Sequence, residues 1–100
     1  MEANAVRGEA ALVLGGETVV LRPSFQALCA AEAELGSLFA LVERAAAGTL
    51  TLTEMAGLFW HCRTGCDGER EAFSEGVLAG GLAHATPALK ALLSEILAGR

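Results

Sequence analysis

The sequence predicts an α+β domain in which an N-terminal β-hairpin is followed by about five short α-helices, compact and mainly helical. Three observations predict it. Two apolar runs rich in β-branched residues flank Gly15-Gly16, the apolar spacing then changes from a period of two to one near 3.6, and glycines or capping residues punctuate the rest at short intervals. A length of 100 residues corresponds to one domain, expected to span 1–100 with 1–8 as a flexible N-terminus. The hydrophobic fraction is 53%, much of it alanine, a strong helix former of small volume, so closely spaced helices are expected.

The hairpin lies in "EAALVLGGETVVLR", Glu9 to Arg22. Two glycines suit the positive φ of a tight I′ or II′ turn. A two-residue loop sets Leu14 opposite Glu17, Leu12 opposite Val19 and Ala10 opposite Leu21, with Leu12, Val19 and Leu21 on one face. Glu9 then faces Arg22 as an exposed ion pair. Two strands alone are marginal in water, so the ribbon must lie on helices or on another subunit.

Beyond "RPS" the helices begin. Ser24 is a good N-cap, and Phe25, Leu28, Cys29, Glu32 and Leu35 recur at helical spacing until Gly36. Ser37 caps a second helix that turns Leu38, Leu41, Val42 and Ala45 inward and stops at Gly48. In "TLTE", Thr51 and Glu54 form a capping box that opens a third helix, from about Leu52 to Thr64. Asp67 is placed to cap a fourth, running through Phe73 and Val77 to about Ala79, with Gly80-Gly81 ending it. Thr86-Pro87 reads as a cap with proline at the first helical position. The last helix, Ala88 to Ala98, then carries Leu89, Leu92, Leu93, Ile96 and Leu97 inward and Lys90, Ser94 and Glu95 outward.

The stretch "LFWHCRTGC", Leu58 to Cys66, poses the question of chemistry against packing. At 100° per residue, Leu52, Met55, Ala56, Phe59, Cys62 and Cys66 share an arc, and His61 points away from it. His61 and Cys62 therefore diverge, and a structural zinc needs four ligands. Cys29, His84 and carboxylates complete no paired motif, so packing is the expected role of Cys62. Trp60, at the edge of the stripe, suits the core or an interface. Glu32 is the polar residue within an apolar stripe. It must be paired or hydrogen-bonded, as an anchor to the hairpin or to a helix N-terminus, unless its pKa rises.

No nucleophile elbow is present. Gly76 and Gly80 signal only close helix approach, and "VLGGET" lacks the lysine and helix of a phosphate loop. Catalysis, metal and cofactor are not expected. The formal charge is −5, with seven scattered Lys and Arg, which speaks against nucleic-acid binding and fits a neutral or basic protein partner. Three cysteines without a secretion signal imply reduced thiols and a cytoplasmic protein. No apolar run approaches the ~20 residues that cross a bilayer.

The order of "LRPSF", "AEAELGS", "GTLTLTEMAGLFWHC" and "HATPALKALLSEILAG" resembles a family of small proteins from bacterial gene transfer agents, the phage-derived particles of alphaproteobacteria. The family is filed as a tail tube protein and more often interpreted as a tail assembly chaperone. The likeness runs from about Gly8 to Gly99. It implies a non-enzymatic chaperone that binds the tape-measure protein or other tail proteins, with self-association left open. A tube component retained in the particle is the alternative it implies. A Cys62–Cys66 metal or redox regulator is a further alternative, read from the thiols alone. The motif positions are Arg22, Pro23, Phe25, Glu32, Gly36, Leu52, Glu54, Phe59, Trp60, His61 and Cys62. Of these, Arg22, Pro23, Phe25, Gly36, Glu54, Phe59 and Cys62 are expected to define the fold. Glu32, Trp60 and His61 are the expected partner contacts.

Overall fold

Antiparallel pairing of the two N-terminal runs gives β1 (Ala10–Leu14) and β2 (Glu17–Leu21), in the register the two-residue loop requires. A computed structural model describes residues 9–14, 17–64, 68–79 and 82–98. The Gly15-Gly16 turn, the N-terminal segment 1–8, Cys66, the Asp67 cap and the Gly80-Gly81 stop lie outside the described residues. Ala10, Leu12, Val19 and Leu21 are buried, which places one face of the ribbon on the core. Arg22 reaches Glu9 through Nε and Nη2, at 3.0 and 2.7 Å. The pair forms, but it is not the exposed pair expected, because the Glu9 side chain is only 7% accessible and the arginine covers it.

A third strand joins the sheet. The helix expected to continue to Thr64 stops at Cys62, and Arg63–Thr64 become β3, antiparallel to β2 in the order β1-β2-β3. Helical residues past Cys62 would leave the outer edge of β2 unpaired. Instead the Arg22 N–H donates to the Cys62 carbonyl at 2.7 Å, and Thr64 Oγ1 donates to the Val20 carbonyl at 2.8 Å. Edge hydrogen bonds on a core strand outweigh two more residues of a fraying helix end.

The caps sit where the sequence places them. Ser24 accepts from the Ala27 N–H to open α1 (Phe25–Leu35), and Ser37 accepts from the Ala40 N–H to open α2 (Leu38–Ala47). Gly36 and Gly48 end these helices at φ 87° and 77°, where a side chain would be strained. Thr51 and Glu54 form the reciprocal capping box of α3 (Leu52–Cys62). Arg44 of α2 holds the same Glu54 carboxylate, so one acid both opens α3 and ties it to α2.

The phase of α1 differs from expectation. Ala31 is fully buried, with Ala27, Leu28 and Leu35 packed beside it, while Phe25 is 84% exposed and Cys29 and Glu32 also face out. Small residues decide this. A Cβ added at Gly57 of α3 would meet Leu35 Cδ2 at 3.1 Å, so α1 and α3 approach where Gly57 leaves room. Alanines on the facing stripe allow that approach, and the bulkier Phe25 turns to solvent.

Helices α4 (Arg70–Ala79) and α5 (Leu82–Ala98) close the core against β1. Phe59, Leu58, Cys62, Phe73, Val77, Ala85 and Leu92 are buried there. Leu52, expected in that arc, is 46% exposed. Helix α5 begins about a turn and a half earlier than expected, and Pro87 stands inside it. Proline this near a helix start forfeits one backbone bond, to the carbonyl of Ala83. Burial of Ala85 and Ala88 in phase with Leu92 outweighs that loss, and His84 Nε2 donates to the Val13 carbonyl on the outer edge of β1.

Candidate functional site

Stripes of α2 and α5 at the edge of the core define the site. Along α2, Leu41 is buried, whereas Phe39, Val42 and Ala46 recur at i, i+3 and i+7 beside it. Along α5, Leu92 is buried, whereas Leu89, Leu93 and Leu97 follow an adjoining stripe. The two helices run antiparallel and leave a groove of about 530 Å³ lined by Val42, Ala45, Ala46, Thr86, Leu89, Lys90, Leu93, Ser94 and Leu97. A second hollow of about 230 Å³ continues it past Phe39 and Ile96 to Glu32. From Thr86 to Leu97 the groove follows about 17 Å of helix, or three turns.

Two large exposed side chains lie on this face. Phe39 is 78% exposed and Leu97 61%, on the rim of one end of the groove. Leu97 thus departs from the inward stripe expected of the last helix. Apolar side chains flanking a groove of helical length match the way an amphipathic helix is held, its i, i+3, i+4 and i+7 anchors in the trough. Charge is confined to the ends, Glu32 at one and Lys90 at the other.

Of the expected contact residues, only Glu32 borders this groove. Its carboxylate accepts from the Leu38 N–H at 3.2 Å, which anchors it to the N-terminus of α2. Its surroundings are exposed, not the apolar stripe expected. Trp60 and His61 lie elsewhere, on the α1–α3–α4 side. Trp60 packs on the core with its ring 5.7 Å from that of Phe73, edge to face. The Arg63 guanidinium lies 3.3 Å above the indole centroid and donates to the Trp60 carbonyl at 2.7 Å. His61 does not face open solvent as its helical phase implies. It is half-buried, 2.7 Å from Glu34 Oε1.

Glu34 is the polar hub that sequence reasoning missed. Arg70 of α4 grips both of its oxygens, and His61 of α3 meets one of them. The Arg70 hydrogen bond first, and His61 second, hold the Glu34 carboxyl down at about 2. Helices α1, α3 and α4 are thereby joined through one acid. Its partners lie 27 and 36 residues away, too far for any local pattern to show.

The thiols divide by burial. Cys29 is exposed, and burial pushes the Cys62 thiol up to about 12, which keeps it protonated and a poor nucleophile or metal ligand. Among the described residues, no three His, Cys, Asp or Glu side chains converge on a point that could hold a metal ion. No single described helix is long and apolar enough to cross a membrane.

One family model matches the chain. It is described as phage tail tube protein, GTA-gp10, and covers residues 7–99. No curated protein and no solved structure is detectably similar.

Proposed function

The chain belongs to the phage tail tube protein, GTA-gp10, family, and from that premise we propose that it acts without catalysis, holding an apolar helix of another tail protein in the α2–α5 groove. The observation that carries this reading is the pair Phe39 and Leu97, exposed beside a trough three turns long. Covering such side chains gives a partner helix its binding energy, and the polar ends limit its position along the groove.

Two fates of the complex fit that reading. The family description backs a component retained in the tail tube more directly than it backs an assembly chaperone. Support for the chaperone, with the long tape-measure protein as its helical partner, comes from the sheet. One edge strand, β3, has two residues, and on the other edge the Val13 carbonyl is already taken by His84. Among the described residues, β3 offers only a two-residue edge for pairing strands between neighbouring subunits in a ring.

A tagged pull-down from particle-producing cells, with finished particles analysed alongside, separates the two. Capture of the tape-measure protein with this chain missing from particles supports the chaperone. Presence of the chain in finished particles together with tube proteins supports the retained component. A Phe39→Ser chain that captures the same proteins as wild type would overturn the groove as the contact surface.

A further inference from the structure

We propose that in the free protein two copies of this chain cover each other's α2–α5 groove, about a two-fold axis that passes by Val42. The inference goes beyond the tail-partner reading, since it concerns what fills the groove when no tail partner is present. It starts from the unlikeness of the groove's two ends. One end carries the bulky, 78% exposed Phe39 and the carboxylate of Glu32. The other carries the small Ala45 and Ala46 and the ammonium of Lys90.

In a two-fold contact, residue i meets residue j of the second copy and j meets i, so a surface must be complementary to itself. Two such axes bring the grooves face to face. An axis parallel to the groove stacks like ends, with Glu32 near Glu32 and Lys90 near Lys90. An axis across the groove stacks unlike ends. Helix α2 then lies antiparallel to α2 of the second copy, Val42 meets Val42, and Phe39 falls opposite Ala45, since both are three residues from Val42. Bulk meets small residue and carboxylate end meets ammonium end, twice over. Charge and volume select the same axis. The chain's formal charge of −5 opposes any self-association, so burial of Phe39 and Val42 must outweigh that repulsion.

Sedimentation velocity over a concentration series tests it. The expected result is a species of twice the 10.3 kDa chain mass that Phe39→Ser weakens at least about 30-fold while circular dichroism is unchanged. Glu32→Lys and Lys90→Glu should each weaken the dimer, and the double exchange should restore it. Val42→Cys, in a Cys29→Ser and Cys66→Ser background, should cross-link to its own copy under oxidation. A monomer at every concentration, or a dimer indifferent to Phe39→Ser, overturns the proposal. A dimer that Val42→Cys fails to link overturns the axis. A monomer that still captures tail proteins through Phe39 sinks this inference and spares the functional reading, and a dimer that captures none does the reverse.

Discussion

The α1–α3–α4 side and the α2–α5 side are built from the same materials and finished differently. On the first, polar and aromatic groups pair within the chain, although Phe25 stays 84% exposed at the start of α1. Glu34 takes Arg70 and His61, Trp60 takes Phe73 and Arg63, and Leu35 packs against Gly57. On the second, Leu41 and Leu92 are sealed in the core and Val42, Leu89 and Leu93 are half-buried, but Phe39 and Leu97 beside them are left exposed. One side ties its helices together through ion and ring pairs, and the other presents a groove. Candidate residues chosen for their chemistry, His61 and Trp60, belong to the paired side. The groove side consists of ordinary apolar residues.

The contrast can be broken most severely at the centre. Phe59 is fully buried, so Phe59→Ala should destabilise by roughly 3–5 kcal/mol, read from the urea midpoint. A smaller step comes at the capping box. Thr51→Ala should cost about 1 kcal/mol, because the Glu54 N–H loses its acceptor at the start of α3.

Glu34→Gln should cost about 0.5–1 kcal/mol near neutral pH, as expected for a partly exposed ion-pair network. Its pH signature is more specific. The folded-state pKa of Glu34 is depressed to about 2. Its contribution is therefore present above the ordinary carboxylate value of about 4.3 and is lost as pH falls from there through about 2. Wild type should lose stability over that interval faster than Glu34→Gln. Parallel curves would mean that Glu34 is not held as described. Smallest in stability is Phe39→Ser, expected within about 0.5 kcal/mol of wild type, although it removes partner capture. A large loss of stability there would place Phe39 among the core residues and erase the contrast.

Much of the fold was legible because its determinants are local. The Ser24, Ser37 and Thr51 caps, the Gly36 and Gly48 stops and the hairpin register depend on residues a few positions apart. Legibility failed where distant neighbours compete. Pro87 reads as a helix start until Ala85 is seen buried against the core, and residues 63–64 read as helix until β2 offers them an edge. In α1 the apolar stripe was too broad to phase, and the close approach of Leu35 to Gly57 on another helix accompanies burial of Ala31 and exposure of Phe25. The groove was the least legible feature. Phe39 and Leu97 carry the same hydrophobicity as core residues, and their exposure depends on where α2 and α5 come to rest.

By itself, then, the sequence determined the order and type of the elements, their caps and the acidic, alanine-rich character of the whole. It also carried the family likeness that the match over residues 7–99 bears out at the level of a gene transfer agent tail protein. Tertiary structure alone decided that Glu34 is the hub of three helices, that Cys62 is sealed and protonated, and that stripes of α2 and α5 at the edge of the core make a groove. The reason is range: capping and periodicity act within a few residues of the chain, whereas burial and polar pairing are settled between segments as far apart as Val13 and His84, 71 residues.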